Sequence, residues 1–202
     1  MPPKPKYTKE EIVQAAFEMA RENGLESVVA RELGKRLGIS STPIFTYFHS
    51  MNELYLEIRK RAMKEFETYT CHIRDYSPPF KQYGLQMIHF AKIEPHLFRI
   101  LYMQEYEHGQ NYDEMFLKLG SGAKHCVEIL QEDYGLKEDQ AYVVFKQVWL
   151  YTFSICVLIV NNICLFTDDE ISKMLSMQFQ STAMMVQTGK SIDIEVSKKN
   201  NE

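Results

Sequence analysis

The sequence contains little glycine, little proline and no regular cysteine framework. Its 9 glycines and 7 prolines are too few for a loop-rich β protein of 202 residues. The 4 cysteines form no C-x-x-C pair, which in a chain of this length is more typical of buried thiols in a reducing compartment than of disulfides. The N-terminal stretch MPPKPKYTKEE lacks the apolar segment of a signal peptide. We therefore expect a cytoplasmic protein.

Sequence patterns for catalysis and metal binding are also missing. The chain has no G-x-S-x-G, Walker or dinucleotide-binding glycine motif, and no H-E-x-x-H or Cys/His cluster with the spacing of metal ligands. The sequence thus predicts no enzyme activity, no metal and no cofactor. A helical enzyme remains an alternative that assays for turnover would detect.

Helical periodicity and clear helix starts dominate what is present. Thr8, Ser50 and Thr167 are each followed three residues later by a glutamate, which is the pattern of a capping box. Apolar residues then recur at intervals of three and four, and no segment alternates with the period of a β-strand. The sequence predicts an all-α fold of about nine helices. The predicted spans are residues 9–23, 30–37, 41–49 (or 43–49), 51–70, 80–93, 95–104, 112–134, 138–164 and 168–188.

One uncharged run is long enough to cross a membrane. Residues 147–167 comprise 21 residues without a charged side chain. Three amides interrupt this run (Gln147, Asn161 and Asn162), no cluster of basic residues flanks it beyond the single Lys146, and the mean hydropathy of the chain is −0.31. A helix that is apolar on every side is equally typical of a bundle core or a subunit interface. We interpret the run as buried rather than as a membrane span.

The segment from residue 30 to residue 49 has the spacing of a helix-turn-helix. Leu33 and Leu37 lie one turn apart on the first helix and need an apolar partner, which Ile44 and Phe48 of the second helix supply. Gly38 stands between the helices, where a left-handed backbone conformation turns the chain. The remaining residues of the second helix are left on an outer face.

That outer face carries groups suited to DNA. Short hydroxyl side chains can approach base edges, a proline ring can contact a thymine methyl group, and tyrosine hydroxyls commonly hold phosphates. The first 61 residues are also mildly basic, with 10 Lys and Arg against 8 Asp and Glu, whereas the remainder holds 13 against 19. The predicted DNA-contacting residues are Arg31, Ser41, Thr42, Pro43, Phe45, Thr46, Tyr47, His49 and Asn52.

This stretch, ARELGKRLGISSTPIFTYFHSMNEL, resembles the DNA-binding signature of TetR-type transcriptional regulators. The resemblance covers about the first 60 residues, including the leading helix. It departs from the family pattern at Val28 and Val29, which replace a threonine pair, at Phe45, which lacks a tyrosine hydroxyl, and at Met51, where the family commonly has a lysine. Asn52 and the amides of the following helix are the remaining candidates for a phosphate contact there.

The resemblance implies a ligand-responsive repressor that binds a palindromic operator as a homodimer. It divides the chain into a DNA-binding domain (residues 1–50), a ligand-binding and dimerisation domain (51–190) and a flexible tail (191–202). The last two predicted helices carry the apolar surface expected for a four-helix dimer interface.

The second domain is rich in aromatic residues and methionine. As a group these side chains suit a cavity for a small apolar or aromatic effector, although such residues at helical spacing also form ordinary cores. The candidate pocket residues are His89, Phe90, Phe98, Tyr102, Met103, Phe116, Trp149 and Phe153. A DNA-binding protein whose second domain senses a protein partner instead is the alternative.

Overall fold

The computed structural model describes residues 7–104, 111–117 and 119–189, and in these residues the chain is helical without a β-strand. This confirms the predicted all-α class. Two short 3-10 turns, Leu25–Ser27 and Ile73–Asp75, join neighbouring helices. The ten described α-helices are α1 (Lys9–Asn23), α2 (Ala30–Leu37), α3 (Thr42–Tyr47), α4 (Met51–Thr70), α5 (Pro79–Ile93), α6 (Pro95–Tyr102), α7 (Tyr112–Leu117), α8 (Ser121–Tyr134), α9 (Glu138–Val160) and α10 (Asp168–Thr188).

The helices begin where their caps predict. At α1 the Thr8 hydroxyl accepts from the Glu11 amide at 3.2 Å, and the Glu11 carboxylate accepts from the Thr8 amide at 2.7 Å. The same reciprocal pair forms before α10. Before α4, Ser50 accepts from the Glu53 amide, but the Glu53 carboxylate accepts from the amide of His49 instead. These bonds satisfy backbone donors that have no partner inside the helix.

Two predicted helix spans were wrong. Residues 112–134 form two helices rather than one, because the backbone at Gly120 has a φ of 82° that no right-handed helix accommodates. This break raises the helix count from nine to ten. The helix predicted to end at residue 164 ends at Val160, where Asn162 adopts a left-handed φ of 53° and the Ile163 amide donates to the Leu158 carbonyl at 2.9 Å.

Smaller differences occur at the ends of two short helices. The helix predicted to reach residue 49 ends at Tyr47, and the one predicted to reach residue 104 ends at Tyr102. The predicted tail, residues 191–202, lies outside the described residues.

Helix α9 is the centre of the C-terminal bundle, where it packs against α5, α8 and α10. It is long and apolar enough to cross a membrane by length and composition. Its residues Val144, Phe145 and Ile155 are nevertheless buried against the neighbouring helices. Core packing therefore accounts for much of its apolar character.

Helix α4 connects the two parts of the molecule. It packs against α1 on the N-terminal side and against α5 and α6 on the C-terminal side. Leu54, Ile58, Ala62 and Phe66 form a buried stripe along it at intervals of four residues. The three N-terminal helices are thus joined to the larger bundle by one continuous helix.

Candidate nucleic-acid interface and internal cavity

The helix-turn-helix packing follows the predicted pattern. Leu33 and Ile44 are fully buried, and Phe48 is nearly so. Gly38 adopts the left-handed conformation, with φ 63° and ψ 39°. A second glycine also matters, because a Cβ on Gly34 would lie 2.9 Å from the Ile39 carbonyl oxygen, closer than real Cβ atoms approach backbone. The sequence therefore folds into a tight turn that orients α3 against α2.

Most of the predicted DNA-contacting side chains lie on one open face. Thr42, Phe45 and Thr46 of α3 are exposed, and the large Phe45 ring is 47% accessible. Ser41 and Pro43 are half-buried at the start of the helix. Three further predicted residues flank this face and are also exposed: Arg31, His49 and Asn52. We refer to residues 41–43, 45 and 46 as the α3 face.

Tyr47 has a different environment from the rest of this set. Its ring is half-buried, and its hydroxyl donates to the backbone carbonyl of Tyr7 at 3.0 Å. The Tyr7 hydroxyl in turn donates to the Leu37 carbonyl at 2.7 Å. These two bonds fasten the segment before α1 to both helices of the helix-turn-helix. Tyr47 would have to give up its bond to Tyr7 before donating to a phosphate.

Several basic side chains of this region are already paired. Arg36 binds Glu22 at 2.6 Å, and Lys35 binds Glu32 at 2.7 Å. Lys9 and Arg31 take part in none of the ion pairs within the described residues. The Lys9 ammonium lies 5.2 Å from the centroid of the Phe48 ring, beside the C-terminal end of α3. The sequence prediction missed Lys9, because only the folded chain brings the start of α1 next to Phe48.

A cavity of about 270 Å³ lies in the C-terminal part, between α4, α6, α7 and α9. Three of the predicted pocket residues, Tyr102, Trp149 and Phe153, line it. Trp149 and Phe153 stack with their ring planes 8° apart. The remaining lining residues are Arg59, Met63, Leu101, Gln104, Met115, Leu119 and Leu150. The sequence prediction missed these because residues from four helices become neighbours only on folding.

The other five predicted pocket residues do not line this cavity. The Phe98 ring is buried and lies 5.1 Å from the Tyr102 ring between centroids. Phe116 lies 5.5 Å from the Trp149 ring and lines a separate pocket of about 530 Å³. Phe90 is fully buried, and Met103 is half-buried beside the core. His89 is exposed and lines a separate surface groove with Lys92 and Asp168.

Two residues of the cavity lining carry buried polar groups that have no partner among the described residues. The Tyr102 hydroxyl and the Trp149 indole N–H are buried, and no described residue hydrogen-bonds to either. Burial raises the pKa of the Tyr102 hydroxyl far above its usual value, so it stays protonated and able to donate. A third group of this kind, the Tyr83 hydroxyl, lies outside the lining of the cavity.

Comparison with known proteins identifies the N-terminal part. Residues 12–58 match the family model described as bacterial regulatory proteins, tetR family. These residues include α2, the turn at Gly38, α3 and the first turns of α4. The N-terminal part of the chain is thus similar to the tetR family of bacterial regulatory proteins. No curated protein matches it.

Similarity in fold to solved structures extends beyond the matched residues. A transcriptional regulator from Rhodococcus sp. Rha1 aligns over 91% of this chain and 97% of its own, with a TM-score of 0.55 and 15% identity. A protein assigned to the TetR family from Mesorhizobium loti aligns over 88% and 95%, with a TM-score of 0.50 and 15% identity. SmeT, the repressor of a Stenotrophomonas maltophilia multidrug efflux pump, covers 89% and 90% with a TM-score of 0.49 and 15% identity. At these identities the first two matches show a shared fold.

Helix α6 connects the cavity to the N-terminal helices. At its start, Glu94 accepts from the Arg21 Nε of α1 at 2.9 Å, in a bidentate ion pair that is mostly buried. At its other end, the Leu101 carbonyl accepts from Arg59 of α4 at 3.0 Å. Leu101 and Arg59 both line the cavity. A molecule in the cavity would therefore touch both α4 and the end of α6.

Proposed function

We propose that this protein is a homodimeric repressor of the TetR type that binds a palindromic DNA operator and releases it when a small effector enters the C-terminal domain. The observation that carries the proposal is the α3 face, on which Thr42, Phe45 and Thr46 are exposed beside the half-buried Ser41 and Pro43. A plain solvent face would not favour an exposed Phe45 ring, whereas a major groove offers thymine methyl groups to it.

The proposed division of labour among the DNA contacts follows from chemistry. Thr42, Thr46 and Phe45 read base edges, since they are exposed on α3. Arg31 and Lys9 neutralise phosphates, and Lys9 takes the part that a lysine at residue 51 plays in the family pattern. His49 and Asn52 flank the same surface at the start of α4. Phosphate contacts of this kind orient the protein, and the base contacts specify the operator.

Effector binding in the cavity supports the release step. An effector that binds one relative placement of α4 and α6 more tightly than another changes the affinity for DNA, and DNA changes the affinity for the effector by the same factor. Because α6 is held to α1 by Glu94 and to α4 by Leu101, a shift of its end moves the helix-turn-helix. In a dimer this changes the spacing of the two α3 faces.

We also infer a cytoplasmic protein without catalytic activity, with residues 1–50 as the DNA-binding domain and 51–190 as the effector and dimerisation domain. Members of a regulator family act by binding. The alternative of a C-terminal domain that senses a protein predicts DNA binding that no small molecule changes. Turnover of a substrate by the purified protein would favour the alternative of an enzyme.

The first test selects binding sites from genomic fragments with purified protein. We expect palindromic sites, bound less tightly as salt rises. On a selected site, Thr42→Ala and Phe45→Ala should each weaken binding about five- to tenfold, because each removes one base contact. Arg31→Ala should weaken all sequences alike and lower the salt slope by about 1.

Thr68→Ala provides the matched control, since Thr68 is an exposed threonine of α4 far along the helix from α3. It should leave DNA affinity unchanged. Wild-type affinity of both α3 variants on a selected operator would refute the assignment of the α3 face. Selection of no sequence at all would refute the DNA-binding role.

A further inference from the structure

The described lining of the cavity between α4, α6, α7 and α9 includes two residues with buried, unpartnered hydrogen-bond donors and no carboxylate. Trp149 N–H can only donate, and Tyr102 O–H is a protonated hydroxyl whose donor has no protein acceptor. Arg59 adds a cationic side chain to the lining. No aspartate or glutamate is among the described lining residues. A cation would therefore meet donors and no carboxylate among the described lining residues.

The shape and the walls of the cavity favour an aromatic ring. Its volume of about 270 Å³ exceeds the roughly 150 Å³ known to hold one benzene ring in an apolar cavity. The stacked Trp149 and Phe153 rings form one wall, and Met63, Met115 and the leucines provide adaptable apolar contacts. Such a site has room for an aromatic ring beside Tyr102 and Trp149.

We propose that the effector is an aromatic molecule bearing a hydrogen-bond acceptor oxygen, such as a carbonyl or a carboxylate, which accepts from Tyr102 O–H and Trp149 N–H. This rests on the effector role proposed above and adds the chemical class of the ligand. A buried donor without an acceptor costs free energy that an incoming oxygen recovers. An apolar ring without such an oxygen leaves both donors unpaired and so binds less tightly.

A second cavity of similar size has no unpartnered buried hydrogen-bond donor in its described lining. It measures about 230 Å³ and lies between α5, α8 and α10, with Pro78, Tyr134 and Phe179 in its lining. None of the three unpartnered buried groups lines it. Two of the three residues that carry such groups, Tyr102 and Trp149, line the cavity between α4, α6, α7 and α9 instead.

The test uses a set of probes of similar size that differ at one substituent. Acetophenone and benzoate carry an acceptor oxygen, ethylbenzene carries none, and benzylamine carries a positive charge. Trp149 is the chain's one tryptophan, so its fluorescence reports binding in the cavity directly. We expect acetophenone or benzoate to bind at least tenfold more tightly than ethylbenzene, and benzylamine to bind most weakly. Comparing acetophenone with benzoate separates a neutral from an anionic acceptor.

Tyr102→Phe removes the hydroxyl and keeps the ring. It should weaken the better oxygen-bearing probe about five- to tenfold and leave ethylbenzene unchanged. Tyr76→Phe makes the same chemical change at an exposed tyrosine and should change neither. Calorimetry of Trp149→Phe, which removes the fluorophore, should show a similar selective loss.

Equal affinity for acetophenone and ethylbenzene, or an equal effect of Tyr102→Phe on both, would overturn the assigned chemistry. So would the failure of every oxygen-bearing probe to bind. Because these titrations contain no DNA, a negative result contradicts the assigned ligand chemistry and leaves the proposed DNA binding untouched. A probe that binds the cavity selectively but leaves operator affinity unchanged would refute effector-controlled release and leave the ligand chemistry standing.

Discussion

Tyr47 illustrates how a side chain on the candidate DNA-contacting helix can also hold the fold together. The sequence places it among polar and aromatic residues of α3, where a hydroxyl is expected to reach a phosphate. The structure turns the ring inward, and its hydroxyl donates to the Tyr7 carbonyl. Within the stretch that resembles the family signature, Tyr47 therefore holds the segment before α1 against α3.

Tyr47→Phe separates these two roles. Loss of the bond to Tyr7 should lower the free energy of unfolding by about 1 kcal/mol, measured from the urea midpoint at constant slope. Tyr7→Phe removes the next bond in the series and should have a similar effect. Operator affinity at a temperature far below the unfolding transition should change less than twofold. A tenfold loss of affinity with unaltered stability would instead assign Tyr47 to a phosphate.

Among the elements, α6 has unusually direct polar connections to the DNA-binding helices. Glu94, only 9% exposed, is the one buried charged residue within the described part of the chain. Its carboxylate pairs with Arg21 of α1, and Glu65 of α4 lies 3.6 Å from the same guanidinium. Three helices thus meet at one cation. We infer that this group fixes the angle between α1 and α6.

A double-mutant cycle with Arg21→Met and Glu94→Gln measures that connection. We expect a coupling free energy of about 1 to 2 kcal/mol, less than for a fully buried pair because the Arg21 side chain is 34% exposed. The control cycle uses Arg36 and Glu22, whose side chains are 37% and 51% exposed. It should give about 0.5 kcal/mol or less. Equal coupling in both cycles would mean that the Arg21 pair contributes no more than a surface pair.

Local signals were sufficient for the elements that begin at a cap. Thr8, Ser50 and Thr167 place the starts of α1, α4 and α10 correctly, because the capping bonds form between neighbours in sequence. Gly120 was overlooked as a helix break, since glycine also occurs inside helices. Asn162 was a usable stop signal, but the long apolar run of α9 outweighed it in the prediction.

The site is less predictable than the elements, because it depends on packing between them. The buried and open sides of α3 follow from the spacing of Ile44 and Phe48, so the exposed set could be inferred before the fold was known. The cavity draws on four helices and on the orientation of Trp149 and Tyr102. Aromatic composition indicated the right part of the chain, but it could not separate lining residues from the core behind them.

For the molecule as a whole, the outer surface of α9 and α10 remains apolar. Met177 and Met184 lie two turns apart on the same face of α10 and are 66% and 67% exposed. Val143 of α9 and Leu165 of the connection between the two helices are exposed as well. Exposed apolar groups in this number are typical of an interface. They support the proposal that α9 and α10 of two subunits pack as a four-helix bundle.

A charged double substitution at this surface tests the dimer. Met177→Glu with Met184→Glu places two negative charges on each subunit, and a twofold interface brings all four together without partners. Sedimentation equilibrium should show a monomer, and operator affinity should fall about 100-fold, because two linked half-sites no longer bind as one. Ile93→Glu, at an exposed residue of α5, should leave the protein dimeric with normal affinity. A double variant that remains dimeric would place the subunit interface on another surface, whereas a wild-type monomer that still binds a palindrome would remove dimerisation from the proposed mechanism.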